Sequence, residues 1–142
     1  MSKSVRRVGV LVNYSALVLL IAFFYTAERT HINVFWISGI LVALFVVIAS
    51  CLYVHGKTGL WRLVHTNIDN LDEREIQVVH ISLRQSYSAF SIICLSIVLA
   101  SELIEEFVSG VVDIPLLPIF VGLLYLAHTL PSSLIAWTEK RM

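Results

Sequence analysis

The chain has 142 residues, 58% of them hydrophobic and 14% charged, with a formal net charge of zero. Soluble domains carry roughly 25% charged residues, so this composition excludes an ordinary soluble domain. Together with a mean hydropathy of +0.85 it calls for a lipid-facing surface. No long basic tract is present to hold nucleic acid.

Met1–Arg7 is a short basic arm carrying Lys3, Arg6 and Arg7. The apolar run 8–27 follows and is long enough to cross a bilayer, which takes about 20 residues. A signal peptide cut after Ala27 would want a small residue where Tyr25 stands, so the run reads as a retained first transmembrane helix. Asn13 is its one strongly polar residue. It reads as an interhelical hydrogen-bonding group, with an intramembrane ligand site as the alternative.

Glu28-Arg29-Thr30-His31 allows only a tight turn before the second span, 32–54. That span is rich in Val, Ile, Leu and Phe, with Trp36 and Tyr53 placed for aromatic belts at its two ends. Residues 55–69 connect the hairpins, with Gly56 and Gly59 as breakers. Leu60–Val64 has the pattern of a short segment lying at the interface, Trp61 down and Arg62 up. His55 and His65 read as solvated at the headgroups.

Residues 70–106 form one long helix without Pro or Gly. Asn70 and Glu73 have the spacing of a capping box. Asp72, Glu73 and Glu75 place negative charge at the positive end of the macrodipole. Glu73, Gln77, His80, Arg84 and Ser88 share a polar face, and Ile76, Val79, Leu83, Tyr87 and Phe90 share an apolar one. Ser82, Ser86, Ala89, Ser96 and Ala100 form a strip of small residues, which lets another backbone approach. At ~1.5 Å per residue the helix is roughly 54 Å long, against ~30 Å of hydrocarbon. Its span is therefore placed at 86–104, with the first turns standing in the cytoplasm. There the stripe Ile76, Val79 and Leu83 needs a cover: the Leu60–Val64 segment, a second copy, or another protein.

Residues 107–113 are an acidic loop, and Asp113 has the chemistry to cap the fourth span, 116–137. Pro115 and Pro118 fall at its start, and Pro131 interrupts it beside Ser132 and Ser133. Nine of the ten Lys and Arg residues lie in the N-terminal arm, the 55–85 connector and the C-terminal tail, and only Arg29 lies on the other side. This is the positive-inside pattern of a multi-pass protein of the cell (inner, cytoplasmic) membrane with both termini cytoplasmic.

Two ionisable residues fall in or near the hydrocarbon. Glu102 reads as an interfacial carboxylate, with a proton or cation site as the alternative. His128 lies well inside the fourth span, either as a functional group or as a hydrogen-bond partner for Ser or Asn on another helix. Two cysteines, Cys51 and Cys94, make no CxxC or metal spacing and read as buried structural thiols. Haem would need two histidines at matching depth on facing helices, and only His128 is deep. No cofactor, metal ligand set or catalytic signature is read from the residues.

Leu71-Asp72-Glu73-Arg74-Glu75, with Arg84 and Tyr87 on the same helix, resembles a segment of small uncharacterised prokaryotic four-helix membrane proteins. Leu130-Pro131-Ser132-Ser133, with Ala136-Trp137 and Glu139, is similar to their C-terminal ends. The resemblance covers the second hairpin and its cytoplasmic turn. It implies a topology rather than an activity, and draws attention to Asp72, Glu73, Arg74 and Arg84.

The expectation is an all-α integral membrane protein: four transmembrane helices as two hairpins, the third extended into the cytoplasm. It has no enzymatic activity and acts as a structural or interaction protein. Its partners are membrane lipids and either itself, as a homo-oligomer, or another membrane protein whose accessory subunit it is. The alternative is a small ion- or solute-conducting oligomer with Glu102 or His128 near the path.

Overall fold

The computed structural model describes residues 3–30, 33–67, 70–107 and 116–138, the side chains of 105–107 excepted. The expected cap at Asp113 and the charges of Lys140 and Arg141 lie outside the described residues. Among those described, every regular element is helical: α1 (Lys3–Arg29), α2 (Val34–Cys51), a π-turn (Leu52–Gly56), α3 (Leu60–His65), α4 (Glu73–Phe107) and α5 (Leu116–Thr138). Four helices are long and apolar enough to cross a membrane: α1, α2 with its π-turn, α4 and α5.

Local chemistry sets the helix ends. Asn33 caps α2, its side-chain oxygen accepting from the Trp36 N–H at 3.1 Å. At the other end α2 widens into the π-turn, a rare form that shifts the chain by one residue. Gly59 then takes φ +69°, a left-handed conformation open to glycine at little cost, and turns the chain into α3. In α5, Pro118 falls in the first turn, where its missing N–H is no loss. Pro131 does not end that helix, which runs on to Thr138.

The start of α4 differs from the sequence expectation. The capping box is built by Asp72 and Glu75, two residues beyond Asn70 and Glu73. The Glu75 N–H donates to Asp72 Oδ1 at 2.7 Å, and the Asp72 N–H donates to Glu75 Oε2 at 3.1 Å. Asn70 instead belongs to a preceding turn, its N–H bonded to the Asn67 carbonyl at 3.0 Å. Leu71 and Ile76 then occupy the two positions of a hydrophobic staple around that cap.

α1 and α5 are the inner helices. α1 packs against both α2 and α5, α4 packs on α5, and α3 with the π-turn tucks against the end of α5. One apolar cluster joins Val10, Val54, Leu60, Val79, Ile135 and Ala136, and a second joins Ala16, Leu17 and Val47. Close approach depends on two glycines. A Cβ on Gly9 would run into Val54 Cγ2, and one on Gly122 would stand 2.8 Å from Ile21 Cδ1.

The first cluster supplies one of the three covers open to the apolar stripe, the segment 60–64. Val79 is not left facing water. It is buried in the cluster to which Leu60 of α3 belongs, with Leu63, Val64 and Val78 packed around it. Ile76 is half-buried and Leu83 is exposed, so the stripe is covered only in part. Of the small strip, Ser82 and Ser86 are buried and Ala89 is half-buried, while Ser96 and Ala100 face outward. α4 meets α5 along the first part of the strip and turns the rest away.

Candidate functional site

The densest polar arrangement in the bundle is a seam through α1, α2 and α5, centred on Asn13. This side chain is 1% exposed. Its Nδ2 donates to the Val47 carbonyl at 3.0 Å and to Ser50 Oγ at 2.9 Å, while Oδ1 accepts from the Tyr125 hydroxyl at 2.9 Å. One amide thus uses both donor hydrogens and one acceptor site to join three helices. Ser50 in turn donates to the Val46 carbonyl at 2.6 Å.

A second set continues the seam one turn away. The Tyr14 hydroxyl donates to Ser133 Oγ at 2.8 Å and lies 3.2 Å from Thr129 Oγ1, which is itself 3.0 Å from the Tyr125 carbonyl it bonds. Tyr125, Thr129 and Ser133 follow one another at intervals of four, so one face of α5 presents all three to α1. Chemically the seam is closed. Its donors and acceptors satisfy one another, and its geometry fits helix association rather than a bound solute. The expected role of Asn13 agrees with this. The tyrosines and Thr129 were not singled out from the sequence, although their four-residue spacing was a usable signal.

His55 and Ser132 are buried polar residues that lie outside this saturation. His55, in the π-turn, is 2% exposed and neither ring nitrogen has a hydrogen-bond partner among the described residues. The expectation that it is solvated at the headgroups is therefore corrected. The π-turn carries its ring inward, because neighbouring Val54 packs beneath Leu60 and against Gly9. Ser132 Oγ is likewise buried without a partner. His65, by contrast, is exposed and stacks on Trp61 with ring centres 4.0 Å apart. Cys51 and Cys94 are free and half-buried, less enclosed than expected, since each lies on a helix flank rather than in either apolar cluster.

The start of α1 and the end of α5 meet at one end of the bundle. Arg7 donates to the Trp137 carbonyl through Nε at 3.3 Å and Nη2 at 3.1 Å, and its guanidinium lies 4.8 Å from the Trp137 ring centre. Lys3 Nζ donates to the Thr138 carbonyl at 3.3 Å. Cations here satisfy the last carbonyls of α5 and oppose the negative end of its dipole. Near this end lies a cleft of about 640 Å³ between α3 and the first turns of α4, with Arg62, Asp72, Arg74 and Glu75 among its lining residues. Glu73 is exposed at the first position of α4, and Arg84 is exposed three turns on.

The remaining candidates face outward. His128 is exposed, and its Nδ1 is 3.2 Å from the carbonyl of Leu124 on its own helix. It makes no bond to Ser or Asn on another helix among the described residues. The inward face of α5 is already filled by Tyr125, Thr129, Ser132 and Ser133. Glu102 is exposed on α4. Neither lines an interior space within one copy. Among the described residues, no group of three or more His, Cys, Asp or Glu side chains is arranged to hold a metal ion. No protein-family model matches the chain, and neither a curated protein nor a solved structure matches it.

Proposed function

We propose that this chain is a packing subunit of the cytoplasmic membrane, working as a homo-oligomer or as the accessory subunit of a larger membrane complex, without an active site of its own. The observation that carries this reading is His128. It sits near the middle of α5, turns away from its own bundle, and uses Nδ1 on Leu124. Nε2 is then left to whatever covers that face. Hydrocarbon offers no hydrogen bond, and a polar atom abandoned there costs several kcal/mol. A neighbouring chain relieves that cost.

The exposure of the outer helices supports the same reading. None of the most apolar 18-residue stretch of α4 is buried, against 39% of that of α5. α1 and α5 form the interior, and α2 and α4 offer surface to lipid and partners.

The proposed topology is four spans in two hairpins with both termini cytoplasmic. It draws on the Lys and Arg asymmetry and on the Arg7–Trp137 contact, which sets the start of α1 beside the end of α5. Val79 packs in one cluster with Val10 and Ile135, residues of the first and fourth spans. This favours membrane entry of α4 nearer Val79 than Ser86, and a shorter cytoplasmic projection than its length alone suggests.

The test has two parts. With Cys51 and Cys94 replaced by Ser, single cysteines at Ser4 and Thr66 should label from the cytoplasmic side and one at Ser109 only from outside. A photo-crosslinker at position 128 should then capture a protein in native membranes. Capture of lipid alone would remove the packing role.

A further inference from the structure

We propose, on the packing-subunit reading and the membrane orientation above, that the outward face of α4 around Arg84 docks against a membrane helix of a different chain, one that carries a carboxylate in its cytoplasmic half. The observation behind this is the place of Arg84, a cation on the outer side of a spanning helix with no counter-ion of its own.

Val79, Ser82 and Ser86, all buried, mark the packed side of α4. At 3.6 residues per turn, Arg84 falls roughly 165° around the helix from their mean direction. It points away from α5 and is exposed, as are Ile81 and Tyr87 beside it. Among the described residues its guanidinium makes no hydrogen bond, ion pair or ring contact.

The apolar cluster gives its depth. Val79 of α4 and Ile135 of α5 share that cluster. In the antiparallel hairpin, Arg84 lies further inward along α4, while Trp137 lies the other way along α5, at the rim where Arg7 and Lys3 hold the last carbonyls. At ~1.5 Å per residue, Arg84 stands roughly 10 Å deeper in the bilayer than Trp137. A snorkelling side chain recovers part of that distance. An ionised group left at the remaining depth is costly unless it is paired.

The chain's own charges select the partner. Its ten Asp and Glu residues lie at 28, 69–75, 102–113 and 139, at or near the ends of the spans or beyond them. A second copy docked through this face, parallel and in register, brings Arg84 to Arg84, and like charges repel. A different chain with an Asp or Glu at this depth meets the guanidinium with its opposite, and a carboxylate accepts two parallel N–H bonds from it. Ser88 and Ser91 follow on the same face, both exposed, and the Ser91 hydroxyl is already closed onto the Tyr87 carbonyl at 2.8 Å. Small side chains there let a second helix come close enough for the pair to form.

The experiment uses the full chain in phosphatidylcholine vesicles, with Cys51→Ser, Cys94→Ser and a donor dye on Thr66→Cys. Acceptor-labelled model helices of Leu and Ala carry one guest residue two turns from the labelled end. By energy transfer, the Glu peptide should bind at least fivefold more tightly than the Gln or Lys peptide, or than one with Glu two turns from the opposite end. Arg84→Gln should remove that preference, and Arg84→Glu should transfer it to the Lys peptide. Arg84 touches nothing polar in its own chain, so an unchanged thermal midpoint will show that the fold is intact.

Equal binding of the peptides, or a Glu preference that survives Arg84→Gln, would overturn the proposal. Equal binding together with a loss of retained phosphatidylglycerol in Arg84→Gln, read by native mass spectrometry, would assign the guanidinium to a lipid phosphate instead. Self-association that weakens in Arg84→Gln would give the face to a second copy and overturn the proposal too. Lipid alone captured at position 128 would refute the packing subunit, a result separate from the peptide preference.

Discussion

The Tyr125 hydroxyl on α5 donates to Oδ1 of Asn13 on α1 at 2.9 Å, and the Nδ2 of that same amide donates to Val47 and Ser50 on α2. The three helices are therefore coupled through a single side chain. Interhelical hydrogen bonds in bilayers average about 0.6 kcal/mol and reach about 1.7. Asn13→Ala removes three of them and should lower stability by about 1–3 kcal/mol, read from reversible unfolding in mixed micelles. Combined with Tyr125→Phe in a double-mutant cycle, it should show a coupling energy of about 0.5–1.5 kcal/mol. A coupling indistinguishable from zero would mean that the hydroxyl and the amide do not meet.

The glycine contacts predict a graded series. At Gly9 a methyl group meets Val54, a fully buried β-branched side chain with little freedom to turn aside. At Gly122 it meets the far end of Ile21, 2.8 Å away, which is able to swing. At Gly39 the nearest atoms belong to Phe23 at 3.5 Å, ordinary contact. Gly9→Ala should therefore cost about 1–3 kcal/mol, Gly122→Ala less, and Gly39→Ala nothing or a slight gain. Thermal midpoints in one detergent rank them, and equal midpoints for Gly9→Ala and Gly39→Ala would remove the tight contact.

The helices were legible because lipid makes a long apolar run unambiguous. Runs 8–27 and 116–137 fall within α1 and α5 for that reason. Asn13 was legible because a lone amide in such a run needs a partner. What was not legible is which way each face turns. His128 and His55 each follow an apolar stretch in sequence, yet one faces out and the other in. The difference lies in the π-turn, which rotates His55 inward and has no signature in composition. Val79 was legible as a residue needing cover. That the cover comes from the same chain depended on Gly59 folding Leu60 back under α5.

His55 gives a prediction of opposite sign to most core substitutions. Its two ring nitrogens are buried without partners, and Val54 and Leu60 beside it are fully buried. Removing an unpartnered polar group in favour of an apolar one of similar size is neutral or stabilising. His55→Leu should leave the thermal midpoint unchanged or raise it. His55→Ala should lower stability by about 2–4 kcal/mol through the cavity it leaves. If both variants destabilise equally, the imidazole makes a polar contact that matters, and a water or ligand at the π-turn becomes the better account.

The capping box decides between two starts for α4. The spacing Asn70–Glu73 and the spacing Asp72–Glu75 satisfy the same rule, and a difference of two residues turns the helix by more than half a revolution. In the observed start, Asp72 and Glu75 exchange backbone hydrogen bonds, while the Asn70 N–H is taken by Asn67. Asp72→Ala removes the acceptor for the Glu75 N–H and should cost about 1 kcal/mol. Asn70→Ala should cost no more than a few tenths, because its side chain caps nothing. Asp72→Asn should keep most of the stability, since Asn accepts the same bond. Hydrogen exchange at residues 73–76 reads this directly: Asp72→Ala should speed it about fivefold while exchange at residues 86–90 stays fixed. Faster exchange in Asn70→Ala than in Asp72→Ala would move the helix start back by two residues. Val79 and Ser82 would nonetheless face α5, since their burial depends on the packed turns further along the helix and not on the cap.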